Sequence, residues 1–159
     1  MRIRVLVADQ SEARLFDLGP QRALEFVGRL ADPLAHLHDR DLVSDRPGRK
    51  FDHAPLTAGR RGATAHHSTG GEHAPRRHEA ETFARRIAAE LERTHGHGEF
   101  EGLIVMSGPA FLGLLRQALP EAIRSTVLAE VAKDLLHQSI DSIVEHLPPL
   151  PAAAQPSSR

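Results

Sequence analysis

The chain has 159 residues, enough for one folded domain, and 40% of them are apolar. Its 20 lysines and arginines nearly balance 21 acidic residues, and the resulting net charge of -1 disfavours a protein that coats nucleic acid with its whole surface. Cysteine is absent, which excludes disulfides, thiol catalysis and cysteine-ligated zinc.

The first 32 residues show the alternating hydrophobicity of β-strands. Ile3, Val5 and Val7 alternate with their neighbours in a period of two that ends at Asp9. A second alternating stretch covers residues 13–18 and is closed by a Gly-Pro pair. The following apolar stretch, 23–30, fits a third strand or a short helix. We predict a strand, because short connections favour a meander.

Residues 36–78 have a different composition, with many prolines and glycines and few large aliphatic side chains. Between 40 and 78 there are eight lysines and arginines against four acidic residues, a local excess of four positive charges. Five of the eleven histidines also lie between 53 and 78. We predict a long, basic, histidine-rich loop over 36–78, because connections of this length are usually functional or disordered.

From Glu79 onward the hydrophobic pattern becomes helical. Apolar residues recur every three to four positions up to Gly96, which predicts an amphipathic helix. The continuous apolar run 103–106 is typical of a buried strand. Ser107 is the expected N-cap of the next helix, with Pro109 in its first turn.

The last third of the chain continues this alternation. A strand is predicted at 127–131 and a helix at 140–147. The segment 148–159 is rich in proline, alanine and serine, and it is predicted to be a disordered tail. A single domain is therefore expected over 1–147.

The element order defines the fold class. Three strands joined by short links form an antiparallel part, and strands that alternate with helices form a parallel part. We predict an α/β protein with a three-layer mixed sheet and flanking helices, in the order β-β-β-α-β-α-β-α. This succession is also that of ribonuclease-H-like folds.

Several separated motifs occur in order over roughly 1–147. They are VLVAD at 5–9, ARLF at 13–16, DLVSDRPGR at 41–49 followed by FD at 51–52, FA at 83–84, LIV at 103–105, FLGLLR at 111–116 and KDL at 133–135. These motifs resemble those of a bacterial family, the host attachment proteins, also described as proteins required for attachment to host cells. The family is in turn similar to the central domain of eukaryotic class-one release factors and of Pelota. The resemblance therefore implies a ribonuclease-H-like topology and a link to ribosomes or transfer RNA.

The loop departs from the release-factor pattern at one position. Release factors carry Gly-Gly-Gln, whereas this chain has Gly70, Gly71 and Glu72. A glutamate is charged and only accepts hydrogen bonds, and the anionic end of a transfer RNA would repel it. We therefore expect no peptide-release activity, and an accidental glycine pair is the favoured interpretation.

The central motif has the chemistry of a tight turn that displays arginines. Pro47 and Gly48 suit the middle of a type II turn, which would expose Arg46 and Arg49 to phosphate or carboxylate groups. Alternatively, these arginines pair with nearby aspartates and only fix the loop. The candidate anion-binding or RNA-binding residues are Arg46, Arg49, Arg60, Arg61, Arg76 and Arg77, and the motif itself comprises Ser44, Asp45, Arg46, Pro47, Gly48 and Arg49.

No metal or cofactor is predicted. The histidines 66, 67, 73 and 78 supply enough nitrogens for zinc, but their spacing matches no ligand pattern, and solvent-exposed histidines are the favoured interpretation. Asp9 at the end of the first strand suggests a nuclease acid together with Asp45 or Asp134. The spacing of these acids does not indicate convergence, and a turn formed by Asp9 with Ser11 is favoured. No serine-hydrolase elbow is present.

Two functions from different classes remain open. The first is a non-catalytic cytoplasmic module that associates with RNA, ribosomes or translation through the basic loop. The alternative is a hydrolase or nuclease that uses acids at the sheet edge, such as Asp9 and Glu72. A surface adhesin is disfavoured because the first apolar run, 5–8, is too short for a signal peptide or a membrane span, so any role in attachment is expected to be indirect.

Overall fold

The computed structural model describes residues 1–35, 73–150 and 152, which form a five-stranded mixed sheet with flanking helices. This confirms the predicted α/β class. In chain order the elements are β1 (Ile3–Ala8), β2 (Glu12–Leu18), a 3-10 turn (Pro20–Arg22), β3 (Leu24–Ala31), α1 (His73–Gly96), β4 (Gly102–Ser107), α2 (Pro109–Ala118), α3 (Glu121–Arg124), β5 (Val127–Ala132) and α4 (Ile140–Glu145). The segment 23–30, which fitted strand or helix, is a strand.

The strand order is β3-β2-β1-β4-β5, with β1 at the centre. β1 pairs antiparallel with β2, and β2 pairs antiparallel with β3. β4 lies parallel to β1 and to β5. Parallel neighbours need a crossover connection, and α1 and α2 belong to these connections. The carboxyl ends of β1, β4 and β5 therefore meet at one edge of the sheet.

Two apolar layers hold the helices on opposite faces of the sheet. Leu6 and Ala8 of β1 contribute to the layer beneath α1, α2 and α3. Ile3, Val5 and Val7 contribute to the layer beneath α4. Because the side chains of a strand alternate between faces, a central strand covered on both sides is buried at every position, as β1 is. The arrangement has three layers, as the sequence predicts.

The start of α1 corrects the predicted loop boundary. The helix begins at His73 rather than at Glu79, so the last six residues of the predicted loop 36–78 are helical. Arg76, Arg77 and His78 in these first turns are polar and exposed. No hydrophobic periodicity therefore indicated a helix there. Pro75 fits here because a proline is tolerated in the first turn. Residues 36–72 lie outside the described residues.

The start of α2 corrects the predicted cap. Gly108 is the N-cap, and Pro109 is the first helical residue. Ser107 instead ends β4, because its parallel pairing with Ala8 extends the strand by one residue. The Ser107 hydroxyl is buried, and within the described chain it has no hydrogen-bond partner.

Two further segments differ from the sequence pattern. The four-residue helix α3 was not predicted, since a single buried apolar residue, Ile123, gives no period to detect. Leu150, placed by the sequence in the tail 148–159, packs against the apolar layer beneath α4. Residues 151 and 153–159 of the predicted tail lie outside the described residues.

Candidate functional site

Helix α1 crosses one face of the sheet and turns its opposite side to solvent. It has 24 residues, which at 1.5 Å per residue makes it about 36 Å long. Phe83, Ile87 and Leu91 recur every four residues and are buried in the apolar layer against the sheet. Because this stripe fixes the rotation of α1 about its own axis, the residues that face solvent are fixed as well.

The outward side of α1 carries exposed arginines, and we call it the arginine face. It comprises Arg85 and Arg86, together with the small exposed residues Thr82 and Ala89. Successive helical residues are rotated by about 100°, so Arg85 and Arg86 lie on two flanks of the exposed side. By the same rotation, Thr82 and Ala89 lie between these flanks.

The contacts of these arginines hold the guanidinium groups in place. Arg85 Nη2 donates to Thr82 Oγ1 at 3.1 Å. Arg86 Nη1 donates to the backbone oxygen of Ala31, at the end of β3, at 3.2 Å, and its guanidinium lies 5.8 Å from the centre of the Phe83 ring. Both arginines are thus oriented by neutral groups.

Within the part of the chain that the structure describes, both arginines of this face lack a carboxylate partner. Arg77 Nε lies 3.1 Å from Glu81 Oε1 and forms an ion pair. Over residues 1–35 and 73–150, by contrast, no carboxylate forms an ion pair with Arg85 or Arg86. An external anion therefore finds unpaired positive charge here.

Arg93, near the end of α1, differs from these arginines because Glu90 neutralises it. Its Nη2 and Nε donate to the two Glu90 oxygens at 2.7 and 3.0 Å. The hydrogen bond from Arg93 holds the pKa of Glu90 below its ordinary value of 4.5, and the same contact raises the pKa of Arg93. Arg93 is thus already paired and offers no unpaired positive charge to an external anion.

This pair predicts a pH-dependent difference between the protein and its Glu90→Gln variant. The folded state lowers the pKa of Glu90, so the pair's stabilisation is fully present above pH 4.5 and is lost as the pH falls below it. At neutral pH we expect the variant to be slightly less stable, and the difference should shrink as the solution is acidified through that range. Urea unfolding at a series of pH values measures it. A gap that widens on acidification would contradict the assignment.

Asp9 follows β1 at the carboxyl edge of the sheet and forms the turn that the sequence favours. Its Oδ1 accepts hydrogen bonds from the Ser11 nitrogen at 2.7 Å, the Ser11 hydroxyl at 2.7 Å and the Glu12 nitrogen at 2.8 Å. Its Oδ2 lies 3.7 Å from His137 Nε2. One oxygen of this carboxylate is therefore committed to the link between β1 and β2.

The structure brings Asp9 and Asp134 to one cavity, a convergence that their spacing did not indicate. The cavity has a volume of about 240 Å³ and lies between the segments that follow β1, β4 and β5. Gly108 to Phe111, at the start of α2, complete its lining. The signal was available in the topology, because the residues that follow parallel strands meet at one edge. Within the described residues, no three side chains are grouped as a metal site would require.

Most of the other sequence candidates lie outside the described residues. These are Ser44, Asp45, Arg46, Pro47, Gly48, Arg49, Arg60, Arg61, Glu72 and the histidines 66 and 67. Arg76, Arg77 and His78 are described and exposed near the start of α1, but helical rotation places Arg76 and Arg77 on the side that carries the buried stripe, away from the arginine face. Sequence reasoning missed Arg85 and Arg86, although two adjacent arginines on the polar side of an amphipathic helix are visible in the sequence.

Comparison with protein families gives a match over nearly the whole domain. The profile of the family described as "Protein required for attachment to host cells" matches residues 4–147. The chain belongs to this family. The resemblance stated from the sequence motifs is thereby confirmed, and the matched range includes β1 through α4.

Individual relatives have low sequence identity with this chain or match only part of it. An uncharacterized protein of Rickettsia prowazekii (strain Madrid E), RP470, is 32% identical over 62 residues, which are 38% of this chain and 41% of that protein. Among solved structures, an archaeal protein has a TM-score of 0.45 and 14% identity, with 91% of this chain and 32% of that chain covered. The archaeal translation termination factor aRF1 has a TM-score of 0.47 and 12% identity, with 92% and 35% covered. This chain thus spans less than half of each of these proteins.

Within residues 1–35 and 73–150, no helix is long and apolar enough to cross a membrane.

Proposed function

We propose that this member of the host attachment family is a non-catalytic cytoplasmic module that binds RNA, free or on the ribosome, and acts in translation. The observation that carries the proposal is the arginine face of α1, where Arg85 and Arg86 are exposed and have no carboxylate partner among the described residues. A role in host attachment would then be indirect.

The chemistry of arginine supports a phosphate ligand. The planar guanidinium presents paired N–H donors that match two phosphate oxygens, and it stays charged at any physiological pH. The basic segment 40–78 has an excess of four positive charges, two of which come from Arg76 and Arg77 at the start of α1. Arg46, Arg49, Arg60 and Arg61 of that segment remain candidate contacts.

The Asp9 turn supports a non-catalytic role. Three hydrogen bonds to Oδ1 give this carboxylate a structural task, whereas two-metal phosphoryl chemistry needs several carboxylates that bind two metal ions about 4 Å apart. One observation favours the alternative, a hydrolase or nuclease: Asp9 and Asp134 line the same cavity. Repeated turnover of RNA that is lost in Asp9→Asn or Asp134→Asn would establish the alternative. Binding without turnover in all three proteins would support the module.

The binding test uses a labelled RNA hairpin, which offers both a duplex stem and a single-stranded loop. Fluorescence anisotropy at a series of salt concentrations gives the affinity and its salt slope. Each phosphate contact contributes about 0.7 to 0.9 to that slope, so Arg85→Ala/Arg86→Ala is expected to lower it by about 1.4 to 1.8 and to weaken binding at low salt.

The matched control changes two exposed arginines that do have carboxylate partners. Arg116 Nε lies 2.8 Å from Glu130, and Arg124 Nη2 lies 3.0 Å from Glu121. The double variant Arg116→Ala/Arg124→Ala removes the same charge and should bind RNA with nearly the wild-type salt slope. Two further pairs, Arg46→Ala/Arg49→Ala and Arg60→Ala/Arg61→Ala, test the basic segment. An absence of RNA binding, or equal effects of all four double variants, would refute the proposal.

A further inference from the structure

On the arginine face, the small residues Thr82 and Ala89 form a low ridge, with Arg85 on one flank and Arg86 on the other. We infer that its ligand is double-stranded RNA, contacted across the shallow minor groove of an A-form helix. This inference rests on the proposed RNA binding and names the class of RNA.

The first argument is the placement of the two flanks. Arg85 and Arg86 are consecutive, so their side chains leave the helix about 100° apart, and each is oriented by its own neutral contact. The ridge between them carries the small residues Thr82 and Ala89, which allow a close approach of the helix axis. A duplex has a phosphate strand on either side of a groove, and one strand suits each flank. A single strand has one row of phosphates and would engage one flank at a time.

The second argument is the spacing along the helix. Thr82 and Ala89 are seven residues apart, a rise of about 10.5 Å at 1.5 Å per residue, and Arg85 and Arg86 lie midway between them. The buried stripe of Phe83, Ile87 and Leu91 locks α1 onto the sheet, so this spacing is rigid. A rigid array of charges favours a ligand whose phosphates are already ordered, because a flexible strand loses conformational entropy when it is aligned.

The third argument is where the aromatic side chains lie. Proteins that bind single strands stack bases on exposed aromatic rings. Phe83 and Phe111 face each other inside the core below α1, with ring centres 6.1 Å apart. The exposed ring of Phe26 contacts Phe16, which belongs to the apolar layer on the α4 face of the sheet. Of the described phenylalanine rings, only that of Phe26 is exposed, and it lies on the other face of the sheet; the Phe83 ring beneath Arg86 is buried and cannot stack on a base.

The charges nearby limit the footprint. Exposed Glu92 lies on the Arg85 flank one turn beyond Ala89, and Arg93 is neutralised by Glu90. Glu79 and Glu81 precede Thr82 on the same helix, so the RNA contact is confined to the stretch between Thr82 and Ala89. Over that length Thr82 and Ala89 are too short to reach base edges at the floor of a deep groove, whereas the wide minor groove of A-form RNA presents its 2′-hydroxyls at the surface.

The experiment compares four probes of one sequence: an RNA duplex of about 20 base pairs, each of its strands alone, and the corresponding DNA duplex. We expect the RNA duplex to bind at least about tenfold more tightly than the other probes. Ala89→Glu places a carboxylate on the ridge between the phosphate strands and should weaken duplex binding by about tenfold or more. Ala122→Glu, which adds the same charge at an exposed position of α3, is the control for net charge.

The outcomes separate this inference from the proposed function. Equal binding of the single strands, still sensitive to Arg85→Ala/Arg86→Ala, would overturn duplex recognition and leave RNA binding intact. Equal binding of the DNA duplex would overturn the assignment of an A-form groove. Equal weakening by Ala89→Glu and Ala122→Glu would exclude the ridge as the contact. Absence of binding to every RNA would refute the proposed function itself.

Discussion

Replacing Phe83 with alanine is expected to lower the free energy of unfolding by about 4 kcal/mol, within the range for buried phenylalanines. The Phe83 ring is 1% exposed, and it stacks on Phe111 of α2 with ring planes 25° apart. Alanine would leave a cavity at the point where α1 meets α2, and the surrounding side chains can fill it only in part. Since the chain has no tryptophan or tyrosine, urea unfolding is best followed by far-ultraviolet circular dichroism.

The same substitution at Phe26 is the matched control. The Phe26 side chain on β3 is 56% exposed. It contacts the Phe16 ring edge-on, with ring centres 5.8 Å apart. We expect Phe26→Ala to lower the free energy of unfolding by no more than about 1.5 kcal/mol, because little apolar area leaves water there. Equal effects of the two variants would mean that α1 is not packed on the sheet as described. The arginine face would then lose its fixed orientation.

The second large effect is expected at a buried charge. Arg4, in the central strand, is 2% exposed. Its Nε and Nη2 donate to the two Asp17 oxygens at 2.8 and 3.4 Å, and its Nη1 donates to Glu99 at 3.2 Å. Asp17→Asn removes the compensating charge and leaves the guanidinium buried beside an amide. We expect the free energy of unfolding to fall by about 2 kcal/mol, as for a hydrogen bond to a charged group, because the Asp17 side chain is 43% exposed and Glu99 remains.

The control for this variant breaks an exposed ion pair. Glu130→Gln disrupts the contact with Arg116, whose side chain is 57% exposed, and should change the free energy of unfolding by at most about 1 kcal/mol. Urea unfolding at neutral pH measures both variants. If Asp17→Asn proved as mild as Glu130→Gln, the guanidinium of Arg4 would have to be hydrated, contrary to its burial.

Local hydrophobic patterns were sufficient to predict most of the helices and strands. The period-two stretch at 3–8 and the continuous apolar run at 103–106 predicted β1 and β4, because strands covered on both faces need apolar side chains at nearly every position. The ordered motifs over 1–147 likewise identified the family that the profile match at 4–147 confirms. These signals are short-range or depend only on order along the chain.

The element ends were harder to predict. Ser107 has the side chain of an N-cap, yet it extends β4, since its parallel partner Ala8 lies about a hundred residues earlier in the chain. The start of α1 at His73 was missed because its early turns bury nothing that would create a period. Both errors arise where a tertiary contact, or its absence, outweighs a local preference.

By itself, the sequence determined the fold class, the family, the turn at Asp9 and the basic character of the segment 40–78. Only the tertiary structure decided that Arg4, which alternates with apolar residues as a solvent-facing side chain would, is buried and paired with Asp17. Only it brought Asp9 and Asp134 to one cavity and placed Arg85 and Arg86 on two flanks of a fixed helix. The physical reason is the same in each case. Composition and periodicity depend on neighbours along the chain, whereas burial of a charge and convergence of side chains depend on which strands and helices become neighbours in space.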